Sequence, residues 1–421
     1  MLDDSDEALL LALPHELRRA NGVPDEAVVE RRSRAAELAA RVLADVLYPD
    51  GLRTSPLGAG WSRDIDLHVL EVPDAQRLLA HGWIPLDGLL RRIGSVGDGR
   101  WAVMENGHVL AAADLHKSEP PRDAVGLVLA RCVDRREVRL REVLELRVLE
   151  RAGHPIPYSH PVSRAAKQVE ATLLGTERAT GGSLPPVSLG ARSGFLRRAS
   201  ALRLRVRPRM VIALSGVDGA GKSTLARALR DELTAAAIPV GAVWARPGMG
   251  LGPLAHLAAL AKRALREAPE PGIRAVAAGN ADAVRSRRGS LAWAWTTCIT
   301  LAFIADARRQ HARSRGVVVW DRHVYDGLAT LAFAYPGRGR RLAEGLVRRL
   351  LPSAAITVYL EIPAEVAAAR KPGDTISRHA IDVQLLTYQN QRSRNPGLLV
   401  LDGTRPLQEN VVAVLRGMGE L

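Results

Sequence analysis

Five short apolar runs punctuate the second half of the chain: Met210–Leu214, Ile238–Trp244, Val317–Trp320, Ile356–Leu360 and Leu398–Leu401. Each is continuous rather than alternating, and helix-compatible segments separate them. Strands of that kind are buried on both faces, so the pattern predicts an α/β domain: a parallel sheet with helices on either side. The first half reads differently. Arg34–Leu47 has helical apolar spacing, and Asp64–Leu70 alternates as a strand after a glycine-rich loop. His108–Leu115 is a second strand, and Val128–Ala152 returns to helical spacing. That mixture predicts an α+β domain. Between the halves, Thr180-Gly-Gly-Ser183, Pro185-Pro186 and arginine-rich sequence mark a linker. The expected division is residues 1–177, a linker at 178–208, and residues 209–421. Trp293 and Trp295 fall on a helix-like apolar stretch and are expected in a core.

Composition narrows the function. A chain of 421 residues with 47% apolar content can bury two cores. The net charge of +14 first suggests a polynucleotide partner, but only five of the 59 basic residues are lysine, and they form no tail. Aromatics are 4%, too few for a stacking platform, so nucleic acid is not the expected partner. Cys132 and Cys298 cannot build a disulfide framework or a cysteine-rich metal site. Met1–Glu7 is acidic, unlike the start of a signal peptide, and Leu291–Ala305 is too short to span a bilayer. A cytoplasmic location without membrane contact is therefore expected. A homodimer stays open.

Gly216-Val217-Asp218-Gly219-Ala220-Gly221-Lys222-Ser223 fits the GxxxxGK[ST] pattern. A predicted strand precedes it, and Thr224 continues into a helix with Leu225, Leu229 and Leu233 on one face. Glycines let successive amide N–H groups point at phosphate oxygens, and the helix N-terminus adds positive potential. Lys222 is expected to project from the loop to the terminal phosphates of ATP, and the Ser223 hydroxyl to hold Mg2+.

This loop resembles that of the thymidylate kinase family, and the likeness continues over residues 209–421. Trp244-Ala-Arg-Pro-Gly248, Phe303-Ile-Ala-Asp306 with Arg308 and His311, and Val317-Val-Val-Trp-Asp321-Arg322-His323 are similar to the family's segments. So are Tyr359-Leu-Glu-Ile-Pro-Ala-Glu365 to Arg370, and Leu401-Asp-Gly-Thr-Arg-Pro406, the last like its loop near adenine. By resemblance, Asp218 faces the acceptor hydroxyl or the metal shell, and Asp321 supports magnesium or the attacking oxygen. Arg322 holds the acceptor's phosphate, and a lid arginine, Arg370 or Arg378, neutralises charge on the transferred group. Such positioning and electrostatics are most of what phosphoryl transfer needs. The sequence departs from the family at Ala245-Arg246, at Asp326 in a serine's place, and at Leu331 where an amide reads the base. Arg263–Ser290 has no family counterpart. The expected reaction is transfer from ATP to a small phosphorylated acceptor other than thymidylate.

In the first half, Asp64, Asp66 and His68 alternate with Ile65, Leu67 and Val69, placing the two carboxylates on one strand face. Ala113-Asp114-Leu115-His116 can bring a third alongside. Paired carboxylates repel unless a cation lies between them. The segment Ala36–Lys117 resembles the nucleotidyltransferase superfamily, which implies Asp64 and Asp66 as magnesium ligands and Asp114 as a third ligand or a base. A solvent-facing Asp-x-Asp strand is the plainer alternative, and His68 and His116 are expected to complete its polar face. Two other functions remain in play: a P-loop ATPase linked to nucleic acid, and a kinase whose first domain only senses nucleotide.

Overall fold

The computed structural model describes residues 23–62, 64–93, 99–120, 123–135, 137–157, 159–167, 187–188, 209–245, 289–334, 339–370 and 378–419. They fall mainly into two compact units, one drawn from residues up to 206 and one from 207 onward. The expected linker lies outside the described residues except for Val187–Ser188, and so does most of Arg263–Ser290.

The first unit is built on a five-stranded mixed sheet. Its strands are β1 (Leu47–Arg53), β2 (Asp64–Val69), β3 (Ile84–Pro85), β4 (Arg100–Glu105) and β5 (His108–His116), in the order β1-β2-β5-β4-β3. Only β2 and β5 pair in parallel, with Asp66 opposite Asp114 and His68 opposite His116. The alternation read from the sequence has its physical purpose here. Ile65, Leu67, Val69, Ala111, Ala113 and Leu115 pack with Ala35, Ala36 and Ala39 of helix α1 (Glu26–Val42) in one core. The other face of the same strands carries the aspartates and histidines. The helix expected over Arg34–Leu47 thus starts earlier and ends at Val42, where the chain turns into β1. Val128–Ala152 is two helices, Ala124–Arg135 and Leu140–Arg151, because Glu137–Val138 leaves helical geometry to pair with Val187–Ser188.

The second unit is a parallel five-stranded sheet. Its strands, β8 (Met210–Gly216), β9 (Val240–Trp244), β10 (Val317–Asp321), β11 (Ile356–Glu361) and β12 (Leu399–Asp402), number from β8 because β6 and β7 are the short Glu137–Val138 and Val187–Ser188 pair. The order is β12-β11-β8-β10-β9, and every pairing is parallel. All seven residues of the central strand β8 are buried, as its apolar run requires. The crossovers are helical: Lys222–Ala235 after β8, Gly289–Arg313 before β10, Val324–Ala334 and Arg340–Leu350 before β11, and Ala364–Ala369 and Arg378–Arg394 before β12. Leu407–Gly419 closes the chain. The expected fold class therefore holds: a P-loop α/β sheet covered by helices, preceded by an α+β unit. No helix among the described residues is long and apolar enough to cross a membrane.

Candidate functional site

The phosphate loop leaves β8 at Gly216 and enters the helix at Lys222. Gly219 and Gly221 have φ of 92° and 94°, a region that side chains disfavour, so the glycine pattern is a conformational requirement. Gly216 needs its bare α-carbon for a second reason: a Cβ there would meet Leu360 O at 2.7 Å. Val217 and Ala220 anchor the loop from below, both fully buried. Asp218 to Leu225, including Ser223 and Thr224, line a cleft of about 560 Å³ together with Arg322, Arg370 and Arg405.

Five charged side chains, Lys222, Asp218, Asp321, Arg322 and Asp326, converge at the carboxyl ends of β8 and β10. Lys222 does not project freely; it is 4% exposed and donates to Gly216 O at 2.6 Å and Val217 O at 2.9 Å. Burial lowers its proton affinity, and the carboxylates of Asp326 and Asp218, 3.7 and 3.9 Å away, oppose that. Arg322 follows Asp321 at φ 75°, strained for a side-chain-bearing residue, and this turns its guanidinium back onto Asp218. Burial works against its charge, yet Asp218 and Asp326 hold its proton affinity above the ordinary arginine value.

Ser223 Oγ donates to Asp321 Oδ2 at 2.5 Å, while Asp321 Oδ1 is buried with no hydrogen-bond partner. A hydroxyl beside a carboxylate that keeps one orphaned oxygen fits a magnesium ion. Arg370 reaches the loop from the end of Ala364–Ala369, donating to Gly403 O at 3.1 Å and Gly219 O at 3.3 Å. Arg378 begins the next helix, but its side chain lies outside the described residues, as does Arg246.

Two sequence expectations about the acceptor need correcting. Leu331, set by resemblance at the position of a base-reading amide, is fully buried in a core with Phe303, Leu328 and Val347, so that position does not line the cleft. Asp326, 2% exposed, does not face an incoming anion; it accepts from Tyr388 Oη at 3.0 Å. Tyr388 was missed by sequence reasoning, whereas Arg405 belongs to the Leu401–Pro406 segment already likened to an adenine loop.

In the first unit the three aspartates do come together on β2 and β5, but protein groups already hold them. Arg100 donates to Asp64 Oδ2 at 2.7 Å and sits 3.3 Å from Asp114 Oδ1, while His116 Nε2 lies 3.1 Å from Asp66 Oδ1. Burial raises Asp114 to about 6, against the pull of Arg100. His68 stacks on His116 at 5.0 Å and bonds Ser118 O at 3.1 Å. Among the described residues no group of His, Cys, Asp or Glu has the arrangement of a metal cage. With a guanidinium seated between Asp64 and Asp114, the trio as arranged does not fit a two-ion centre.

The sheet order and the glycine loop define the second unit as a P-loop α/β fold. No family model matches the sequence, and no curated protein matches it. Among solved structures, a deoxyadenosine kinase from M. mycoides, with products dCMP and a flexible dCDP bound, matches over 50% of this chain and 99% of that one. The identity is 14% and the TM-score 0.33, so the likeness adds nothing to what the topology defines.

Proposed function

We propose that the second unit transfers the terminal phosphoryl group of ATP to a small-molecule acceptor. The observation that supports this best is the convergence of Lys222, Ser223, Asp321, Asp218 and Arg322 around one glycine loop. The loop amides and the helix N-terminus bind the phosphates. Lys222 turns from its carbonyl partners to the transferring group, where positive charge lowers the barrier most. Ser223 and Asp321 would hold Mg2+, which neutralises phosphate charge when bound. Asp218, oriented by Arg322, is placed to accept the proton of an attacking hydroxyl. Arg370, tethered to the loop carbonyl of Gly219, adds charge at the rim. A second cavity of about 770 Å³ shares Arg405 and Asn410 with the phosphate cleft and is lined by Ile362, Pro363 and Leu401; it suits the base of the nucleotide.

Because Arg322 is engaged by Asp218, a phosphorylated acceptor must either win it from that partner or use other cations. The test is ATP consumption by the full chain against a panel of nucleosides, nucleoside monophosphates and sugar phosphates, with products read by mass spectrometry. A phosphorylated product that disappears in Lys222→Ala supports the reading. Absence of any product with every acceptor class, from protein that binds no ATP, refutes it.

A further inference from the structure

Asp326 is an unusual neighbour for a phosphate loop. Its Oδ1 lies 3.0 Å from Tyr388 Oη and 3.7 Å from Lys222 Nζ, and its Oδ2 is buried with no hydrogen-bond partner. Tyr388 Oη also lies 2.9 Å from Gly216 O, the carbonyl that already accepts from Lys222 Nζ. Tyr388 itself is 3% exposed and stacked on Tyr359, so the hydroxyl has nowhere else to turn.

A phenol carries one proton and cannot donate to the carbonyl and to a carboxylate at once. With Lys222 against the loop the count closes: the ammonium serves Gly216 O, and Tyr388 donates to the Asp326 carboxylate. When Lys222 turns to a nucleotide phosphate, Gly216 O loses its ammonium donor and Asp326 loses its nearest cation. One event repairs both losses. Asp326 takes a proton from solvent and donates it to Tyr388 Oη, and the phenol turns its own proton to Gly216 O.

The other charges facing Asp326 do not remove the need. Asp218 on the loop is an anion, and Arg322 at the end of β10 is paired with it. Tyr388 is the contribution of helix Arg378–Arg394, and Lys222 that of the helix after the loop. Burial already raises the proton affinity of Asp326; Lys222 is the largest opposing influence, and Arg322 and the hydroxyls of Ser215 and Tyr388 oppose it less strongly.

We propose that Asp326 and Tyr388 are positioning residues that hold Lys222 against its own loop, and that Asp326 takes up a proton as the lysine moves to a nucleotide. The proposal rests on the ATP-binding reading above. It is tested by titrating the full chain with the magnesium complex of a non-hydrolysable ATP analogue, by calorimetry near pH 7 in two buffers of unlike ionisation heat. The wild type is expected to take up a proton on binding, approaching about one per site. Asp326→Asn removes the acceptor of that proton, and Lys222→Met removes the cation whose departure creates the demand. Both are expected to lose most of the uptake, normalised to nucleotide bound at saturation. If Asp326→Asn does not fold, Lys222→Met carries the comparison. Wild-type binding without uptake, or uptake undiminished in either variant, overturns the proposal while leaving the ATP reading intact. No binding at all overturns the ATP reading, and the proposal with it.

Discussion

Gly219 and Gly221 share a backbone conformation, φ 92° and 94°, but differ in what a Cβ would meet. At Gly221 nothing lies within 4 Å; at Gly219 the new carbon would sit 2.9 Å from Ala367 O, a backbone atom that cannot swing aside. The pair separates two costs that usually arrive together. Gly221→Ala carries only the strain of a side-chain-bearing residue at positive φ, about 1–3 kcal/mol. A gain of about 0.4–1 kcal/mol from the stiffer unfolded chain offsets part of it. Gly219→Ala carries the same strain plus an overpacking cost of about 1–3 kcal/mol. Net losses are then about 1–2 kcal/mol at Gly221 and about 2–4 kcal/mol at Gly219. The slowest-exchanging amides of β8 report the stability of this unit. At about 1.36 kcal/mol per decade, their exchange should quicken about 5- to 30-fold in Gly221→Ala and about 30- to 1,000-fold in Gly219→Ala. Equal effects, or a larger one at Gly221, would show that Ala367 O yields to a Cβ at Gly219 and that the two costs are not separable here.

Asp321→Asn should lower kcat by at least about tenfold with a smaller change in ATP KM, since its orphaned oxygen serves the reacting complex; a change in KM alone contradicts that placement. Lys222→Ala should end turnover and also lower stability by about 1–3 kcal/mol in a urea melt, because the buried ammonium supplies hydrogen bonds to two loop carbonyls. An unchanged melt would place the side chain in solvent. Arg100→Met should destabilise the first unit, and millimolar Mg2+ should slow amide exchange in β2 and β5 of the variant while leaving the same amides unmoved in the wild type; slowing in the wild type would show that the guanidinium does not fill the place of an ion. His323 is held down to about 4 by burial, below the 6.5 of the free side chain, so its contribution is complete above about pH 6.5 and is lost as pH falls toward 4. His323→Leu should flatten the stability profile across that window, and an unchanged slope would put the titration elsewhere.

The parts of this protein that the sequence displays are those where one position demands one residue type. Gly219 and Gly221 adopt a conformation only glycine takes easily, so the loop is visible as letters, and β8 and β10 are continuous apolar runs because both faces are covered. What stayed hidden is held by partners distant in the chain. The edge strand β1 keeps Pro49 and Asp50 exposed and owes its place to backbone pairing with β2, which leaves no side-chain pattern to read. Arg100 had a usable signal that went unread: Asn106-Gly107 between apolar runs is a hairpin turn, and its pairing sets Arg100 opposite Asp114. Tyr388 had none, since 172 positions separate it from Gly216 and its helix shows no spacing that singles it out. Asp326 is the instructive case. Read as a letter in a serine's place it suggests repulsion of an incoming anion, but its helix turns it inward, where Lys222, Arg322 and the hydroxyls of Ser215 and Tyr388 offset the burial of its carboxylate. The same substitution that looked like a change of substrate places, in the fold, a buried carboxylate 3.7 Å from the Lys222 ammonium.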